Sequence, residues 1–174
     1  MDKASEERLA HVHPELASRV RQMASTLALE GVQIRVTQGL RSWSDQLALW
    51  LKGRNAKGEI IDASKVVTKA APGSSWHNFG LAVDVAPFAD NTPDWNLAHP
   101  VWKRIVAVGE SLGLVSGSAW RSFPDWPHFQ LTGTLPVSPD DATRAAFMDN
   151  GLEGVWQLAG MGIAHSDVGG EISV

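Results

Sequence analysis

The chain of 174 residues has no cysteine and no tyrosine, no long apolar run and no dense block of basic residues. Without cysteine there is neither a disulfide framework nor a thiolate metal site, so any bound metal must be held by His, Asp and Glu. No stretch approaches the roughly 20 apolar residues of a membrane span, so no stable membrane association is expected. A formal net charge of −4 argues against nucleic acid as the main partner. The opening Met1-Asp2-Lys3-Ala4-Ser5-Glu6-Glu7-Arg8 lacks the apolar core of a secretory signal peptide, which leads to the expectation of a chain that accumulates in the cytoplasm. No HExxH sequence occurs, which excludes a zinc helix of the thermolysin type.

What is present fits one domain, long enough to bury a core unaided. The 8 Trp and 5 Phe either fill that core or wall a cleft, where indoles stack on sugar and peptide faces. Ser5 is expected to cap a short helix through His11, and Pro14, with His13 as cap, to start a helix whose apolar face is Leu16, Val20, Ala24 and Leu27. Residues 32–37 alternate apolar and polar as a half-buried strand. Ser44 and Asp45 open the next helix, with Leu47, Trp50 and Leu51 on its buried side. The polar stretch 54–75 is too long for a plain connection and reads as the rim of a cleft. Leu81 to Pro87 is a strand buried on both faces, Pro100 to Leu112 an amphipathic helix, and Asp125 to Leu131 the last strand. Asp90, Thr92 and Asp94 have the spacing of a calcium loop, but its glycine and terminal glutamate are missing. Composition shifts after Thr132, so the chain divides into a catalytic domain, 1–133, and a helical extension of unknown role, 134–174, with a flexible tail. The fold class expected is α+β, a small antiparallel sheet flanked by helices.

Two stretches carry chemistry. In Ser74-Ser75-Trp76-His77-Asn78-Phe79-Gly80-Leu81-Ala82-Val83-Asp84-Val85, a histidine precedes a glycine turn and an aspartate inside an apolar run. A bare charge at Asp84 would cost several kcal/mol, so it needs a cation or a dense set of hydrogen bonds. A metal and a structural arginine satisfy that need equally. The second stretch, Asp125-Trp126-Pro127-His128-Phe129, offers another imidazole, which is either a packed core residue or a ligand. His77, Asp84 and His128 together give three ligands and leave a fourth position for water, the arrangement of a catalytic zinc. Asp125 is either a turn aspartate or a base that takes a proton from that water. Arg41 is either a surface ion-pair partner or a guanidinium placed to bind a carbonyl oxygen. A Ser75-His77-Asp84 triad lacks both a nucleophile elbow and an oxyanion loop.

The pattern Ser75-x-His77-x-x-Gly80-x-Ala82-x-Asp84, followed by Asp125-x-Pro127-His128-Phe129, resembles the zinc peptidases of the VanY and D-Ala-D-Ala carboxypeptidase family. It is most similar to their L-alanyl-D-glutamate endopeptidase branch, which includes phage endolysins. His13-Pro14, Gln38-Gly39-Leu40-Arg41-Ser42, Gln46 and Leu112-Gly113-Leu114 fall in the matching order, so the resemblance spans about His11 to Leu131. It implies a Hedgehog/D-Ala-D-Ala peptidase-like fold, Zn2+ on His77, Asp84 and His128, Asp125 as general base, and Arg41 stabilising the tetrahedral intermediate. Ser75 and Gln46 would bind substrate. The implied partner is the bacterial peptidoglycan stem peptide, the bond most in keeping is L-Ala-D-Glu, and a monomer acting at the cell wall is expected. The same likeness admits a D-Ala-D-Ala carboxypeptidase or dipeptidase, or a non-catalytic wall-binding domain. An Asp rather than a Glu at the base position looks more like the endolysin branch. Leu40 departs from the tyrosine usual before the arginine, and Val115-Ser116-Gly117-Ser118 departs from a usual Trp-Gly-Gly.

Overall fold

A computed structural model describes residues 1–162; the expected flexible tail lies largely outside them. Helices α1 (Lys3–Leu9), α2 (Pro14–Leu29), α3 (Trp43–Trp50), α4 (Val101–Ser111) and α5 (Asp141–Leu158) surround strands β1 (Gln33–Gln38), β2 (Ala82–Ala89), β3 (Thr92–Pro93), β4 (Val115–Gly117) and β5 (Asp125–Gln130). The sheet is antiparallel in the order β1-β2-β5-β4, with β3 also paired to β2. The architecture is thus the expected small antiparallel sheet flanked by helices. Among the described residues no helix is long and apolar enough to cross a membrane.

Helix α2 starts as its sequence requires. Pro14 occupies the first turn and the His13 side chain accepts from the Glu15 N–H. Its face Leu16, Val20, Met23 and Leu27 packs on Ile34 and Val36 of β1, Val83 and Val85 of β2, and Trp102 and Ile105 of α4. Two caps differ from expectation. Asp2, not Ser5, caps α1; Ser5 is fully buried and its hydroxyl accepts from the Val36 N–H, tying α1 to the sheet. Ser42, not Ser44, caps α3 by accepting from the Asp45 N–H. The buried face of α3 also differs from expectation: Leu47 is exposed and Gln46 is its fully buried residue.

A second core cluster joins Trp76, Phe79, Leu81 and Ala82 to Val155 and Trp156 of α5. The Trp156 indole N–H donates to the Phe79 carbonyl, and the Trp76 indole N–H donates to the Val137 carbonyl. Residues after 133 therefore pack against the turn that carries His77. Helix α5 breaks at Asn150 and Gly151, where φ of Gly151 is 59°. The break divides the expected helical extension into two shorter segments.

Candidate metal centre

His77 sits in a 3-10 turn, Trp76–Phe79, that ends at Gly80 in the left-handed region with φ 65°. That conformation is cheap only for glycine. It reverses the chain so that β2 begins at once and presents Asp84 beside His77. His128 comes from β5, whose register places it directly opposite Asp84. Asp84, buried Gln130 and the Thr37–Gln38 end of β1 complete this part of the sheet.

Three atoms converge. His77 Nε2 lies 3.1 Å from Asp84 Oδ1 and 3.2 Å from His128 Nδ1, and His128 Nδ1 lies 3.4 Å from Asp84 Oδ1. The outer ring nitrogens fix the tautomers. His77 Nδ1 is 2.9 Å from the Gly39 carbonyl, which can only accept, so that nitrogen carries the proton. Gln130 donates its amide N–H to the Val137 carbonyl, which turns its oxygen toward His128 Nε2 at 3.1 Å. Both imidazoles therefore aim a lone pair at the carboxylate oxygen. Three acceptors facing one another in a buried place repel unless a cation lies between them. The spacing is slightly tighter than, and close to, that around one: ligands about 2.0–2.2 Å from a tetrahedral zinc are about 3.3–3.6 Å apart. His77, Asp84 and His128 thus form a group able to hold a metal ion, and the hydrogen bonds behind both imidazoles are the usual outer support of such ligands.

The electrostatics agree. Burial alone would raise the Asp84 carboxyl, but positive charge on the facing His77 and His128 imidazoles, standing where a cation would, holds it well below the usual carboxylate range. Burial opposes protonation of His128, yet the Asp84 carboxylate raises it. The centre attracts positive charge.

The other oxygen of Asp84 faces Arg41, whose Nη2 lies 3.4 Å from Oδ2. Arg41 is also held by Gln46, which accepts from Nη1 at 2.9 Å and donates to the Ala70 carbonyl at 2.8 Å. The Arg41 backbone N–H donates to the His77 carbonyl, and the Asn78 amide donates to the Arg41 carbonyl. Asp125 stands outside the three-ligand group but lines the same cleft. Its carboxyl is pushed up by burial and by the Asp84 carboxylate, with His128, His77 and Arg41 only partly offsetting them.

The cleft holds about 850 Å³ and includes the three ligands, Asp125, Arg41 and Ser75. One wall is Val67 to Ala70 of the long 54–75 segment, as a cleft rim requires. Lys69 of this wall donates to the carbonyl of Ser122, which also lines the cleft, at 2.9 Å. The structure brings six of the seven expected site residues to the cleft. Gln46 is behind it, fully buried with its amide engaged by Arg41 and Ala70. The sequence reading missed Gly39 and Gln130 as supports of the imidazoles. Gln130 was discoverable, two positions after His128 on the same strand face; a backbone carbonyl such as that of Gly39 leaves no signal.

Residues 9–123 match the family model VanY, described as D-alanyl-D-alanine carboxypeptidase. The peptidoglycan L-alanyl-D-glutamate endopeptidase CwlK of Bacillus subtilis (strain 168) is 30% identical over 128 residues, 69% of this chain and 73% of that protein. The crystal structure of the Serratia marcescens L-Ala D-Glu endopeptidase ChiX superposes with a TM-score of 0.53 at 28% identity, covering 76% of this chain and 89% of that one. A Zn(II) complex of a mutant of the vancomycin resistance D,D-pentapeptidase VanY, from a VanB-type cassette, has the same TM-score at 19% identity, covering 67% and 70%, and shows likeness of fold.

Proposed function

The chain belongs to the VanY family, and from that premise we propose that it is a zinc-dependent peptidoglycan hydrolase cutting the L-Ala-D-Glu bond of the stem peptide. That it is an enzyme of the peptidoglycan-acting peptidase class follows from the family and from CwlK. The observation that carries the zinc reading is the convergence of three lone-pair donors, two of them locked in tautomer, within 3.4 Å of one another. The choice of bond is supported by CwlK and ChiX, both L-alanyl-D-glutamate endopeptidases.

Zinc on His77, Asp84 and His128 would supply a Lewis acid that acidifies water and polarises the scissile carbonyl. The protein's residues do the rest. Asp125, in the same cleft and with a raised carboxyl pKa, takes the proton of the attacking water and delivers it to the departing amine. Arg41, clamped by Gln46 and Asp84, presents a fixed positive charge to the carbonyl oxygen as it becomes anionic. Ser75, with 8% of its surface exposed and no side-chain cap on its turn, has its hydroxyl available to orient the substrate backbone.

Mass spectrometry of digested muropeptides tests the bond. Peptides beginning with D-Glu and glycan ending in L-Ala are expected. Release of free D-Ala instead would make the chain a D,D-carboxypeptidase, the activity named in the family description. Metal analysis should find about one zinc per chain, and a chelator should abolish turnover until zinc is restored. Chelator-insensitive cleavage would remove zinc from the reaction.

A further inference from the structure

Trp95 is an indole that the chemistry above does not use. It lies in the loop after β3 and 53% of its surface is exposed. Its ring stacks on Trp102 of α4, with centroids 6.2 Å apart and planes at 24°. Trp102 is fully buried in the main core. One indole is therefore anchored and backs the other, which leaves a broad part of the Trp95 ring open.

The loop is also ordered by its own bonds. The Asp94 N–H donates to the Pro87 carbonyl at 2.9 Å, the Asn96 N–H to Asp94 Oδ1 at 2.8 Å, and the Ala98 N–H to Asn96 Oδ1 at 3.2 Å. A single exposed aromatic on a convex surface would mean little. Trp95 instead lines the cleft that contains His77, Asp84, His128 and Asp125. The register explains how it gets there. Phe88 of β2 pairs with Pro93, further along the strand whose Asp84 pairs with His128, so the chain leaving β3 is delivered beside the site.

A flat apolar face held rigid at the edge of a polar cleft suits a ligand with one C–H face and a hydroxylated rim. That ligand is a pyranose ring. We propose that Trp95 is a saccharide platform, binding a sugar of the glycan strand while the cleft holds the attached peptide. The inference rests on the peptidoglycan reading above and sharpens it. L-Ala is the residue through which the stem joins the glycan, so a sugar lies within one residue of the L-Ala-D-Glu bond. At about 3.3–3.6 Å per extended residue, the terminal D-Ala-D-Ala bond lies three residues further out, roughly 10 Å more. A sugar platform in the cleft itself fits the first bond.

The test compares kcat/KM on a disaccharide-tetrapeptide with kcat/KM on the same tetrapeptide N-acetylated and free of sugar, for the wild type, Trp95→Ala and Trp95→Phe. The wild type should favour the glycan-bearing substrate. Trp95→Ala should shrink that ratio roughly two- to tenfold, as loss of one aromatic stacking contact implies, and Trp95→Phe should shrink it less. Melting temperature and zinc content confirm that each variant is folded. An unchanged ratio in Trp95→Ala overturns the proposal, as does an equal loss on both substrates. Titration with the disaccharide alone, followed by NMR, gives an arm independent of hydrolysis. Equal affinity in wild type and Trp95→Ala, or no binding to either, also overturns it. A wrong assignment of the cleaved bond would show as absent L-Ala-D-Glu products from both tetrapeptides, whereas the disaccharide titration needs no cleavage and reads the platform alone.

Discussion

At the scale of the residue, the proposed reaction divides labour between groups that hold metal and groups that move protons. Asp125→Ala should keep its zinc and lose about 10²- to 10⁴-fold in kcat, whereas His77→Ala should lose both. Metal analysis alongside kinetics separates the two, and loss of zinc in Asp125→Ala would make Asp125 a ligand. The pH profile follows from the raised Asp125 carboxyl. A base works only when deprotonated, so activity is present above its pKa and lost as pH falls through it. The acidic limb of kcat/KM should therefore lie above the ordinary aspartate value of 3.8, with zinc content measured at each pH so that metal loss is not mistaken for protonation. A limb at or below 3.8 would show that bound zinc outweighs the burial that raises Asp125. Gln46 is fully buried behind the cleft and bonded to Arg41, so on the proposed mechanism its effect passes through Arg41. Gln46→Leu should lower kcat, but in an Arg41→Ala chain it should lower kcat little further. Additive losses in this double-mutant cycle would show an independent role.

At the scale of the element, the helix α4 is held against the sheet by the absence of a side chain. A Cβ on Gly109 would stand 2.4 Å from the Phe129 ring. Ala in a helix interior gains about 1 kcal/mol over Gly, but overpacking costs about 1–3 kcal/mol, and Phe129 has little room to yield because it is fully buried. Gly109→Ala should therefore lower the melting temperature and, since Phe129 adjoins His128, weaken zinc binding. A higher melting temperature would show a looser contact. The elements also show what was legible. Asp84 and His128 stood out because an ionisable group in an apolar strand demands a partner, and α2 and α4 stood out because their apolar stripes run for several turns. Strands β3 and β4, two and three residues long, are too short for any periodicity to register. The cap of α3 was misplaced by two residues because Ser42 and Ser44 are chemically equal caps. What selects Ser42 is the docking of Arg41 and Ser42 onto Asn78, a contact distant in the sequence.

At the scale of the whole molecule, the stretch after Gly133 is joined to the catalytic part by buried surface. Trp156, Val155 and Leu135 cover Trp76, Phe79 and Leu81, and Arg144 donates to the Gly73 carbonyl. Removing a buried aromatic alone costs about 3–5 kcal/mol against a total stability of about 5–15 kcal/mol. A chain ending at Gly133 should thus show no cooperative thermal transition by circular dichroism and no tight zinc binding. A folded, zinc-binding fragment would make the extension a separate unit. The placement of the two histidines also sets an order of events. His77 and His128 are 51 residues apart, with α4 between them. On the ribosome, His77 and Asp84 emerge as an incomplete pair, and the strand that carries His128 follows seconds later at about 5–20 residues per second. Until β5 closes onto β2 there is no centre to hold a metal, so a nascent or half-folded chain is an inert one. Hydrolytic competence arrives together with the finished sheet.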